Sequence, residues 1–279
     1  MTMTTTNEIT LHGIAAAPGI VMGKVFVYTK HVPHIDEKTI APEDAEKEVE
    51  RLRSAVGRSE KELQKILSFA EQKIGNSKAK IFEAQIMILS DNVLFDSIFK
   101  RIRKERKNAE FVVHGEITKY QQLMLNSSDE YMRERAHDVE DVKNRIIRNI
   151  QEEKLISRFE GGSIVVSQSL TPADTILFSR NEILGYATDM GGVTSHAALL
   201  SRSLKIPAVV GLKEVTSHVH SDASMILDGY SGVVIINPSE ATVAQYKRRG
   251  REMAKFEHGL NDLRELPAQT LDGKLVELV

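Results

Sequence analysis

The chain has no cysteine and no tryptophan among its 279 residues. Without thiols there can be no disulfide framework, thiol catalysis, thiolate zinc site or iron–sulfur cluster. The composition suits a reducing compartment, so a cytoplasmic location is expected. Aromatic residues reach only 5%, and charge nearly cancels, with 37 Lys+Arg against 39 Asp+Glu and a net charge of −2. Such a surface has no global field to draw in nucleic acid or an acidic membrane. Long apolar runs are missing too. The charge-free stretch from Gly13 to Gly23 is broken by Pro18 and Gly19, well short of the roughly 18 residues a membrane span takes. Met1 to Thr10 lacks the basic start and apolar core of a signal peptide. What is present is ordinary for a globular protein, 41% hydrophobic and 27% charged, at a length that suits about two domains.

Three textures follow one another. Ile9 to Thr29 is apolar with Gly and Pro punctuation, and Val25-Phe26-Val27-Tyr28 is strand-like. From Pro42 to Asn149 the chain becomes charged and helical. Pro42 with Glu43, Asp44 and Glu46 suits a first helical turn. Val49, Leu52, Val56, Leu63, Ile66, Leu67, Ala70 and Ile74 recur at threes and fours, which predicts one long amphipathic helix stopped at Gly75. Helices are also predicted near Lys78–Arg106, with a break at Ser90-Asp91, then at Ala109–Leu125 and Ser128–Gln151. Short connections make them an antiparallel bundle.

From Gly162 onward, short β-branched runs alternate with Gly and Pro. Strands are predicted at Ile164–Val166, Ile183–Thr188, Ala208–Val210, Met225–Leu227 and Val233–Ile236, with one helix at Ser195–Leu204 among them. A last helix is predicted from Ser239 to Leu266, with Gly250 as a weak point or bend, then a turn and strand over Thr270–Val279. The fold class expected is α/β plus all-α, a sheet domain interrupted by a helical insertion. Linkers at Val32–Asp36 and Glu160-Gly161-Gly162 would allow relative motion. Because the chain stops on apolar residues inside its last element, it reads as a piece of a longer protein.

One run combines the features of a reactive centre: Gly191-Gly192-Val193-Thr194-Ser195-His196-Ala197-Ala198-Leu199-Leu200-Ser201-Arg202. A strand ends, two glycines turn the backbone, Thr194 is the expected N-cap, and an apolar helix begins with His196 in its first turn. Amide hydrogens at a helix start bind anions, and the helix dipole adds to the attraction. A neutral imidazole there has a lone pair for attack on phosphorus, and glycines let a donor approach without a Cβ in the way. By residue type alone, most histidines in such places are caps or core groups.

This run closely resembles the phosphohistidine motif of phosphoenolpyruvate-utilising enzymes, which include enzyme I, phosphoenolpyruvate synthase and pyruvate phosphate dikinase. Other segments narrow the resemblance to the enzyme I family of the sugar phosphotransferase system. They are Gly13–Ile20 with Gly23-Lys24-Val25, Ile81–Leu89, and Asp129–Ala136 with Asp138-Val139. The resemblance implies a swivelling phosphohistidine domain over 1–35 and 153–238, a helical domain over 36–152 that binds the carrier protein HPr, a linker helix over 239–266, and at 267–279 the start of a phosphoenolpyruvate-binding region. It implies that His196 receives phosphate from phosphoenolpyruvate, bound with Mg²⁺ in that other region, and passes it to HPr. This stretch itself would hold no cofactor or metal. Gly191, Gly192, Thr194 and Ser195 would line the transfer site, and Thr175 would hydrogen-bond the imidazole. Met87, Ile88, Leu94, Met124, Met132 and Arg135 would face HPr. The chain alone would be monomeric, and the full-length protein a homodimer.

Val193 departs from the family, many members of which carry Arg there. Any part that Arg plays with phosphate would pass to backbone amides or to Arg202. The same swivelling domain could instead come from a synthase or dikinase, or the chain could be a binding module with His196 inert; the intact Gly-Gly-x-Thr-Ser-His run speaks against the latter. Gly19–Val25 is not a phosphate loop, since only three residues separate its glycines and Val follows Lys24. The basic runs at Lys100–Lys107 and Lys247–Arg251 read as solvated helix faces. His218 and His220 lack a third ligand nearby.

Overall fold

Apolar residues three and four apart drive the helical part together. In the computed structural model, which describes residues 8–29, 33–152, 161–221, 223–263, 270, 274 and 275, a short 3-10 turn at Pro42–Asp44 leads into α1 (Ala45–Ile74). Gly75, at φ +82°, ends α1 in a conformation that glycine adopts without strain. There follow α2 (Asn76–Leu89), α3 (Asn92–Glu105), α4 (Ala109–Leu125) and α5 (Glu130–Ile150). The break at Ser90-Asp91 is real, because Asp91 caps α3 by accepting the Leu94 amide at 3.1 Å. Val49, Leu52, Leu63 and Ala70 of the predicted stripe are buried, packed with Phe82, Ile98, Ile117 and Ile146.

Before the bundle come β1 (Ile9–His12), β2 (Ile14–Ala17) and β3 (Ile20–Val27). After it come β4 (Ser163–Ser167), α6 (Pro172–Arg180), β5 (Gly185–Thr188), α7 (His196–Leu204), β6 (Ala208–Val210), α8 (Val215–His218), β7 (Ser224–Asp228), β8 (Val233–Ile236) and α9 (Glu240–Leu263). Among the described residues, the eight strands form one mixed sheet in the order β1-β8-β7-β3-β4-β5-β6-β2. Strands β3 and β4 lie side by side in parallel, Val25 opposite Ile164, although the whole bundle intervenes in sequence. The fold is therefore a mixed α/β sheet with a helical bundle inserted between two adjacent strands.

One core, including Val25, Val166, Val209, Val215 and Leu227, covers one side of the sheet. A second includes Phe178 of α6, Tyr186 of β5 and Ala198 of α7. Ala173, Ile176 and Leu200 join the bundle's own core, so α6 and α7 are sandwiched between sheet and bundle. At the β7 end, fully buried Asp228 accepts from Tyr230 N, Ser231 N and Ser231 Oγ and pairs with Arg249 at 3.1 Å, which fastens α9 to the sheet.

Several expectations need correction. The segment before the bundle forms three strands, because β1 and β2 find distant partners in β8 and β6. Helices α6 and α8 depart from the expectation of a single helix, Ser195–Leu204, among the late strands. Strand β5 starts at Gly185 rather than Ile183. The turn and strand over Thr270–Val279, the end of the last helix at Leu266, Val32 of the first linker and Glu160 of the second lie mostly or wholly outside the described residues. Thr270 N does donate to the Lys274 carbonyl at 2.9 Å.

Candidate functional site

Strand β5 delivers the chain to the loop that precedes His196. Thr188 Oγ1 donates to the Met190 carbonyl at 2.7 Å, and the Asp189 and Met190 amides donate to the carbonyls of Ser167, the last residue of β4, and Gln168 after it. Buried Asp189 accepts from the Thr216 amide at 3.1 Å and from the Thr216 hydroxyl. Gly191 has φ +115°, where any side chain would be strained, although an added Cβ would make only ordinary contact with Val210. The Ser195 amide closes a turn onto the Gly192 carbonyl at 3.1 Å.

Ser195, not Thr194, is the N-cap of α7: its hydroxyl accepts the Ala198 amide at 3.3 Å, with extended backbone at φ −60°, ψ 146°. Both residues are good caps by type, and the Ser195–Gly192 turn decides between them. His196 is thus the first helical residue. It is exposed, and the amides of this first turn have no helical carbonyl to bond. Beneath it, buried Tyr186 of β5 meets the Ala197 carbonyl at 3.1 Å and the Ser201 hydroxyl. Burial pushes the Tyr186 hydroxyl up to about 12, so it remains a donor anchoring the helix to the sheet.

His196 lies where two clefts meet. One, of about 490 Å³, is lined by Ser77, Lys78 and Ile81 of α2, Arg135 of α5, and Leu199, Arg202 and Ser203 of α7. The other, of about 1190 Å³, runs between α5 and the sheet past Tyr28, Thr171, Thr194 and Ser195. Lys78 Nζ reaches Ser203 Oγ at 2.8 Å, bridging bundle and α7. Asp138 of α5, only 3% exposed, bonds Arg135 at 3.3 Å and Gln85 at 3.5 Å. Burial pushes its carboxyl up, and His196 and Arg135 pull it back, so the imidazole is within electrostatic reach of the bundle. The arrangement offers an accessible imidazole at a helix start, with Lys78, Arg135 and Arg202 on the wall of the adjoining cleft.

Thr175 lies buried on α6, its hydroxyl donating to the Thr171 carbonyl at 3.1 Å. Helix α6 is held by a reciprocal cap: Thr171 Oγ1 accepts the Asp174 amide at 3.1 Å, and Asp174 Oδ2 accepts the Thr171 amide at 2.9 Å. Tyr28 donates to Asp174 at 3.2 Å; burial, with the Asp174 charge beside it, pushes the Tyr28 hydroxyl up. Of the residues expected to face HPr, Met87 is 73% exposed, while Met124 is 7% exposed in the bundle core. Ile88, Leu94 and Met132 are half-buried against that core, and Arg135 is half-buried beside Asp138. Val93 and Leu123, which the sequence reading did not single out, are strongly exposed. Asp138 stands in the sequence reading only as part of a motif and not as a neighbour of the site; Tyr186 and the α6 cap escape it, although Thr171-Pro172-Ala173-Asp174 carries the cap's signature. Among the described residues, no three His, Cys, Asp or Glu side chains converge as a metal site, and no helix is long and apolar enough to cross a membrane.

Comparison with known proteins bears on this geometry. Residues 12–135 match the family described as PEP-utilising enzyme, N-terminal, and residues 159–232 the family described as PEP-utilising enzyme, mobile domain. Phosphoenolpyruvate-protein phosphotransferases of Bacillus sp. (strain S) and Staphylococcus carnosus are 39% and 34% identical over 98% and 96% of this chain, and over 47% of their own lengths. The chain therefore spans about half the length of the curated relatives it matches. A solution structure of enzyme I aligns with 41% identity and a TM-score of 0.76, over 88% of this chain and 99% of that one. The N-terminal domain of a nitrogen enzyme 1 shares the fold at 24% identity and a TM-score of 0.63, over 85% of this chain and 98% of that one. By sequence and by fold, this chain belongs to the enzyme I family and corresponds to its amino-terminal region.

Proposed function

We propose that His196 is a phosphoryl acceptor that exchanges phosphate with HPr, with phosphoenolpyruvate as the ultimate donor in the full-length protein. The observation that carries this is the exposed imidazole at the first position of α7, behind the Gly191-Gly192 turn and between two clefts. The Nε2 lone pair of a ring protonated at Nδ1 attacks phosphorus in line. As the new N–P bond forms, the donor's N–P bond breaks, and its electron pair returns to the donor imidazole, which leaves neutral. Amides of the first α7 turn and the helix dipole balance the phosphoryl oxygens, with Lys78 and Arg135 on the cleft wall. Gly191, Gly192, Thr194 and Ser195 shape that seat. Thr175 is proposed to steady the ring in the transfer-competent orientation, its hydroxyl oxygen accepting a ring N–H.

In this reading 1–35 and 153–238 act as the phosphohistidine domain, 36–152 as the HPr dock and 239–266 as the linker helix. Exposed Met87 and the Arg135 guanidinium are the groups best placed for HPr, while Ile88, Leu94, Met124 and Met132 shape the helices behind them. The remaining half of the relatives' length would supply the phosphoenolpyruvate and Mg²⁺ site, and the homodimer. The location is proposed to be cytoplasmic. Mixing this chain with ³²P-labelled phospho-HPr should move label onto it, whereas phosphoenolpyruvate alone should label it poorly. Absence of transfer from phospho-HPr would refute the reading.

A further inference from the structure

Arg202, two turns beyond His196 on α7, commits its guanidinium to two backbone carbonyls. Nη1 donates to Ala16 at 2.7 Å and Nη2 to Val193 at 2.8 Å. Ala16 sits at the irregularity of the β2–β6 ladder, where Ala15 opposes Val209 and Ala17 opposes Ala208. A bulge leaves its extra residue outside the ladder. Ala16 is buried, so its carbonyl needs a partner from elsewhere, and Arg202 provides one. Val193 belongs to the loop that sets the direction of α7. Two glycines precede it, and Gly192 has open space where a Cβ would lie, so packing does little to hold this turn.

We infer that Arg202 is a positioning residue for transfer at His196, a strut that ties the β2 bulge to the 191–195 loop and holds the first-turn amides of α7 toward the phosphoryl group. The inference rests on the reading of His196 as phosphoryl acceptor. Guanidinium suits the task because its planar fork serves two acceptors at once through charge-assisted bonds, where an ammonium is a single point. Both arms are engaged, so Arg202 acts through the loop.

The test uses this chain with phospho-HPr as donor. Exchange by the wild type, absent in His196→Ala, establishes the underlying reading independently. Arg202→Gln should then lower kcat by up to about hundredfold, the scale on which a small misplacement of the reacting geometry costs rate. KM for phospho-HPr should change by less than about twofold. Amide resonances of 191–196 should shift while those of the bundle stay in place, and Arg202→Lys should recover part of kcat. A wild-type kcat in Arg202→Gln, or a loss confined to KM, would overturn the inference. So would a fall in kcat matched by a fall in Tm that Arg202→Lys leaves unrepaired, since that marks a residue that only stabilises the fold.

Discussion

Asp138 carries a carboxyl into the bundle, between Gln85 and Arg135 and within the field of His196. Its pKa is raised, first by burial, so folding favours the protonated form. The stability this group contributes is complete below its unfolded pKa and is lost as pH rises through its folded one. Asp138→Asn should therefore raise Tm at pH 7, each kcal/mol being worth about 2–4 °C in a chain of this size. The gain should vanish below about pH 4, where the carboxyl is protonated folded or unfolded. Thermal melts at the two pH values check it, and an equal effect at both would contradict the charge argument. His196 itself was legible, because the Gly-Gly turn and apolar helix around it are local. The place of Asp138 was not: nothing near 138 in the sequence shows that residue 196 lies within its electrostatic reach. The cap of α7 was half legible. Thr194 and Ser195 are both suitable by type, and only the turn onto Gly192 selects Ser195.

Elements were readable where a face is one-sided. Helix α1 buries a single stripe along 30 residues and could be followed turn by turn. Helix α6 buries Pro172, Ala173, Asp174, Thr175, Ile176 and Phe178 in only nine residues, so no polar face marks it as a helix. At the end of α4, Leu123 and Met124 are adjacent and both apolar, and only packing shows that Met124 is the one inside. Two glycines show how context sets sign within elements. Gly57, inside α1, has no atom within 4 Å of an added Cβ, so Gly57→Ala should stabilise by about 1 kcal/mol through helix propensity. At Gly229, just past β7, an added Cβ would lie 2.0 Å from the Ala17 carbonyl oxygen. Gly229→Ala should therefore destabilise by about 3 kcal/mol or more, because backbone must move. Urea titrations of both variants test the pair, and a shared sign would contradict this packing.

At the scale of the whole molecule, the interrupted chain is the main structural fact. β3 and β4 are neighbours in the sheet but lie on either side of the bundle in sequence, and α6 and α7 pack against both parts. That strands occur at both ends was legible from composition. Strand order was not, because the four-residue strands β1 and β2 pair with β8 and β6 near the far end of the chain. This layering places the first turn of α7 at the boundary of sheet and bundle, where a carrier docked on the helices could meet the imidazole. The most direct test of that account is to map the phosphoryl group after exchange with phospho-HPr, by ³¹P–¹⁵N correlation on the ring-labelled chain. The account predicts a single phosphohistidine, at Nε2 of His196 and absent in His196→Ala. Phosphate on any of the other eight of the nine histidines, or unchanged labelling of the variant, would contradict it.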